Sequence, residues 1–208
     1  NSAAVVNMGG SINTFTNSGT LTGTQYGIDN TNGTIGTLIN SGSITGGIQD
    51  IRNVTSTDVP AQLLGTASIG TLINYQGGNS SSAATTALRF EGNLPSTYNT
   101  FITSKTHYGQ LALTNPVGTM AFDVVAGSNL QRATYKDVLT GITSSSITGF
   151  SGRLNGISWK LVEYDTANHY WNLVAGPSSD NTLIALRMNS TLVRNVLNSR
   201  RSELANTS

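Results

Sequence analysis

Apolar residues recur through the first third of the chain in short runs separated by Asn, Ser and Gly, and the runs repeat. Three segments align: Ser11–Gly23 (SINTFTNSGTLTG), Thr34–Gly46 (TIGTLINSGSITG) and Ser68–Gly77 (SIGTLINYQG). The step is 23 residues from Ile12 to Ile35 and 34 from Ile35 to Ile69, so the second interval carries an insertion. Three strands of about 4 to 5 residues with their turns make roughly 20 residues, close to the shorter step. One repeat is therefore expected to form one coil of a β-solenoid, with Ile over Ile and Leu over Leu in a continuous buried column. Asn and Gly tolerate positive φ, which suits Asn-Ser-Gly to the turns between strands. Asn17, Asn40 and Asn74 then stack as an amide ladder, each satisfying the next.

After Gly77 the composition shifts towards aromatic and charged residues, and no further copy of the repeat is legible. Residues 1–85 are expected to form the solenoid and 86–177 a β-rich cap. The cap covers the open backbone groups and the apolar column that the last coil would leave exposed. Its strands are expected at Ala87–Phe90, Thr100–Thr103, Gly109–Thr114, Thr119–Val125, Ser158–Tyr164 and Tyr170–Ala175. The segment Thr134–Leu139 reads as a short helical or irregular connection. A hairpin turning at Asp165–Asn168 puts Trp159 and Leu161 on one face and Trp171 and Leu173 on the same buried surface, where the two tryptophans are expected to meet. Residues 178–208 carry a capping signal and a stripe of Leu192, Val193, Val196 and Leu197, which predicts a terminal helix.

Only 10% of the residues are charged and the formal net charge is +1, so neither nucleic acid nor an anionic membrane is an expected partner. The chain has no cysteine, which removes disulfides, zinc–thiolate sites and thiol nucleophiles together and suits export through an oxidising compartment. A start at Asn1, with no charged-then-apolar leader and no apolar run of bilayer length, reads as an internal fragment of an exported protein.

Candidate chemistry is sparse. His107 and His169 lie in no metal-ligand spacing, and no nucleophile elbow or phosphate-binding loop occurs, so no catalytic, cofactor-binding or metal residue is assigned. A β-solenoid polysaccharide lyase or hydrolase is the enzymatic alternative, and it needs paired carboxylates. Asp29, Asp50 and Asp58 share no position in the repeat. Host-glycan adhesion through rows of Thr and Asn is the binding alternative.

The repeat Ile35–Ile44, followed by Leu94–Leu111 (LPSTYNTFITSKTHYGQL) and Asn155–Val162 (NGISWKLV), resembles the C-terminal passenger region of Gram-negative autotransporters. The resemblance covers nearly the whole chain. It implies an all-β fold: a right-handed parallel β-helix, an autochaperone cap and a helix leading into the protein's own outer-membrane β-barrel. It also implies a role in secretion and surface display, which fits the absence of assigned catalytic residues; a host cell surface or glycan is the external partner the adhesion alternative would take. Carried onto this chain, the cap candidates are Tyr108, Leu111, Trp159, Leu161, Trp171 and Leu173. The ladder candidates remain Asn17, Asn40 and Asn74.

Overall fold

In the computed structural model, which describes residues 3–78 and 86–176, the chain winds into a parallel β-solenoid of about six coils. The first coil is β1 (Ala3–Met8), β2 (Ser11–Asn17) and β3 (Thr20–Gly23). The second is β4 (Tyr26–Thr31), β5 (Thr34–Asn40) and β6 (Ser43–Gly46). Among the described residues each later coil has two strands: β7 (Gln49–Val54) with β8 (Ser68–Asn74), β9 (Leu88–Asn93) with β10 (Thr97–Thr100), β11 (Leu111–Val117) with β12 (Met120–Val124), and β13 (Ala133–Thr140) with β14 (Ile147–Thr148). The parallel ladder runs unbroken past the change in composition, since β7 pairs with β9 and β8 with β10. Residues 178–208, where the helix is expected, lie outside the described residues.

Two parallel faces result. One sheet runs β1-β4-β7-β9-β11-β13 and continues into an antiparallel extension made of β17 (Tyr170–Ala175), β16 (Ile157–Asp165) and β15 (Ser151–Leu154). The other runs β2-β5-β8-β10-β12-β14. Within each sheet the register stacks apolar on apolar. Val5, Ile28, Ile51, Phe90 and Leu113 form one column, and Leu88, Leu111, Leu139 and Trp171 another. On the facing sheet Phe15, Leu38, Leu72, Tyr98 and Phe122 lie one above the next. The columns are fully buried from the second coil on, whereas Ile12, Phe15 and Leu21 of the first coil are only half-buried.

The 34-residue step is explained by a loop between β7 and β8 that contains a single 3-10 turn, Ala61–Leu63. Its neck is closed by the Ala67 N–H donating to Thr55 Oγ1. Asn32 pins the loop to the second coil: its Nδ2 donates to the Ser56 and Leu63 carbonyls, and its Oδ1 accepts from the Ser56 N–H.

Three expectations need correction. The strand expected at Thr100–Thr103 lies earlier, as β10 (Thr97–Thr100), and residues 101–103 lie outside any strand. Thr134–Leu139 is neither helical nor irregular but lies within β13, which pairs with β11 on one side and β17 on the other. A bulge at Asp137, whose φ is 53°, interrupts the strand and turns both Val138 and Leu139 inward. The glycines of the Asn-Ser-Gly turns are also not there for positive φ, because neither Gly19 nor Gly42 adopts it. Gly42 is required by close approach: a Cβ there would lie 2.0 Å from the Gly19 carbonyl oxygen of the coil above.

Candidate functional site: amide ladders and the antiparallel end

Asn17, Asn40 and Asn74 occupy equivalent positions at the ends of β2, β5 and β8. Asn17 Nδ2 donates to Asn40 Oδ1 at 2.9 Å, and Asn40 Nδ2 donates to Asn74 Oδ1 at 3.2 Å. Below them Asn74 Nδ2 reaches the backbone oxygens of Gln76 and Gln110. All three amides are buried, so the ladder supplies partners that solvent cannot. A second ladder, not recognised from the sequence, runs along the opposite corner: Asn7 Nδ2 to Asn30 Oδ1 and Asn30 Nδ2 to Asn53 Oδ1, each 2.7 Å. Its signal was available, since Asn7, Asn30 and Asn53 are spaced by the same 23 residues.

Gln76 ends the small third sheet formed by β3 and β6. Its Oε1 accepts from the Ile44 N–H at 2.9 Å and its Nε2 donates to the Ile44 carbonyl at 3.2 Å. The side-chain amide thus imitates the peptide group of a strand paired with β6. Both edge groups of Ile44 are thereby satisfied.

Two buried carboxylates are held by arginines one coil further along. Asp29 accepts from Arg52 at 3.1 Å and from Thr31 Oγ1, and the Arg52 guanidinium lies 5.4 Å from the Tyr26 ring centre. Asp50 is only 2% exposed, and it accepts from the Gly46 and Arg89 N–H groups and from the Arg89 guanidinium at 2.7 Å. Arg89 also donates to the Gly46 carbonyl. These carboxylates are acceptors fixed within the fold, tying successive coils together.

All six cap candidates are buried, Trp159, Leu161, Trp171 and Leu173 in the antiparallel end and Tyr108 and Leu111 against the parallel coils. Leu111 lies between Leu88 and Leu139 in its column. Tyr108 packs edge-on against Tyr135, with centroids 5.2 Å apart, while its hydroxyl accepts from the Lys136 N–H at 3.0 Å and donates to the Lys136 carbonyl at 3.1 Å. Burial raises the pKa of the Tyr108 hydroxyl, with the backbone bond to Lys136 opposing the shift. Leu161 and Leu173 are direct cross-strand partners. Trp159 and Trp171 share the buried face with them but do not meet. Trp159 sits opposite Ala175 and Trp171 opposite Glu163, with the leucine pair between. Trp159 packs edge-on to Phe122, and Trp171 tilts against Phe150 while its indole N–H donates to the Ile142 carbonyl at 2.8 Å. Gly152, opposite Trp159 on β15, leaves room for the indole, since a Cβ there would stand 2.5 Å from the ring.

His107 and His169 lie apart. His169 is at the β16–β17 turn with φ 55° and its Nδ1 is 3.0 Å from Glu163 Oε1, whereas His107 is half-buried in the Thr103–His107 turn. Among the described residues no three His, Asp or Glu side chains converge as a metal-binding group. Comparison with protein-family models, with curated proteins and with solved structures finds no match for this chain.

Proposed function

We propose that this chain is a passenger segment of an autotransporter-type surface protein, a non-enzymatic stalk that folds from its antiparallel end and is displayed outside a Gram-negative cell. The carrying observation is the asymmetry of the stack. At one end an aromatic antiparallel extension packs Trp159 and Trp171 onto the column, while at the other the apolar side chains of the first coil stay half-buried. A preformed antiparallel edge offers β13 a template, and each coil then offers the next a complete row of backbone partners, which removes the cost of nucleating a coil alone. In this reading the helix is right-handed, residues 86–177 act as the autochaperone, and the partner is an outer-membrane barrel of the same protein.

The rival reading, a polysaccharide lyase or hydrolase, requires carboxylates free to exchange protons with a substrate. Asp29 and Asp50 are buried against guanidinium groups, which favours a structural role for both.

The test is a fusion of this chain to an autotransporter barrel, with an epitope at Asn1. Surface labelling of the epitope is expected for the wild type and for V117A, a change at an exposed side chain, and is expected to fall sharply for W159A. Equal display of W159A and wild type contradicts the proposal.

A further inference from the structure

The bulge in β13 borders an open cleft of about 310 Å3, near the lower end of the range for small-ligand sites, roughly 300–1,000 Å3. Its floor is fixed by bonds already made. Tyr108 and Gln110 hold the Lys136 backbone, Gln110 Oε1 accepts from the Gly78 N–H at 2.8 Å, and the Asp137 N–H donates to Asn172 Oδ1 at 3.0 Å. A non-glycine residue at φ 53° within a strand is strained, and two side chains hold it there: Asn172 on the backbone, and Tyr164, whose hydroxyl donates to the Asp137 carboxylate. That bond is also the main reason the Tyr164 hydroxyl is pushed up to about 12.

The groups left to a visitor differ in kind from those of the floor. Lys105, Lys136 and Thr134 are exposed and make no side-chain bond among the described residues, and Thr106, whose hydroxyl is 3.4 Å from Ser104 Oγ, adds a second hydroxyl. Neither lysine is ion-paired among the described residues. With Asp137 also in the lining, the local balance is one net positive charge, which matches a monoanion and disfavours a dianion. An aromatic surface begins at the same edge: Tyr164 is 52% exposed, and its ring tilts towards Tyr170 at 6.1 Å between centroids. Two cations, two hydroxyls, a carboxylate acceptor and an apolar ring face are complementary to a carboxylate, vicinal hydroxyls and the C–H face of a sugar.

We infer that this cleft binds an acidic sugar unit, with Lys105 and Lys136 on its carboxylate and Tyr164 beside its ring. This goes beyond the role proposed for the whole chain and does not depend on it.

Galacturonate is the probe, titrated into the full chain with backbone amide shifts as the readout and its methyl ester as the neutral control. Saturable shifts are expected at Lys136, Asp137 and Asn172, with the methyl ester weaker by about tenfold or more. The double variant K105A/K136A is expected to lose affinity by a similar factor with an unchanged thermal midpoint, because both side chains are exposed. The inference is overturned if the ester binds as tightly as the acid, if inorganic phosphate reproduces the same shifts at equal concentration, or if no saturable shift occurs in this region.

Discussion

Trp159 stands edge-on to Phe122, with ring centroids 5.6 Å apart and planes at 74°. Phe122 is the last member of the column Phe15, Leu38, Leu72, Tyr98, Phe122, so a side chain of the antiparallel extension finishes a column built by parallel coils. Replacing Trp159 by Ala uncovers Phe122 and leaves a cavity opposite Gly152. The expected loss is about 3–5 kcal/mol by urea denaturation, against a smaller loss for W159F, which keeps an aromatic contact.

Asn40 occupies the middle of its ladder, accepting from Asn17 and donating to Asn74 and Gln76. Asn40→Ala leaves those buried groups without partners and is expected to cost about 2–3 kcal/mol. The exposed Asn13 of β2 serves as the control, and N13A is expected to leave the denaturation midpoint unchanged.

Gly19 and Gly42 occupy the same turn in successive coils, yet only one is constrained. A methyl group at Gly42 would collide with the Gly19 carbonyl, whereas nothing lies within 4 Å of a Cβ at Gly19. G42A is therefore expected to lower the thermal midpoint and G19A to leave it near the wild-type value. Equal effects from the two variants would contradict the stacking geometry.

Tyr98 is fully buried, and desolvation raises its hydroxyl pKa above the ordinary value of 10.0, with the Asn74 bond opposing the shift. The folded state therefore holds this proton more tightly than the unfolded state. Its contribution to stability is complete below about pH 10 and is lost as the pH rises through the folded value. Denaturation midpoints measured from pH 9 to 12 are expected to fall for the wild type and to fall less steeply for Y98F.

The first three coils were legible because the repeat keeps the residue type at each stacked position: Ile12, Ile35 and Ile69, or Asn17, Asn40 and Asn74. The later coils keep the stacking and change the residues. Leu72 is followed by Tyr98 and then Phe122, and the Gln76 amide takes the place of a strand against β6, so sequence self-similarity disappears while the backbone pairing persists. Strand β13 was misread for a local reason. Its buried residues Tyr135, Val138 and Leu139 fall at i, i+3 and i+4, which is helical spacing, because the Asp137 bulge breaks the alternation of two. The two tryptophans were correctly given one face, but period-two reasoning fixes the face and not the distance along it. The β16–β17 register sets Leu161 and Leu173 between them.

The central claim is directional: the antiparallel end forms first and the coils are added to it. Pulse-labelled hydrogen exchange during refolding of the full chain tests it most directly. The account predicts that amides of β16, β17 and β13 gain protection first, followed by β11 and β9, and last by β4 and β1. Protection that appears first in β1 and β4, or simultaneously in all coils, would contradict it.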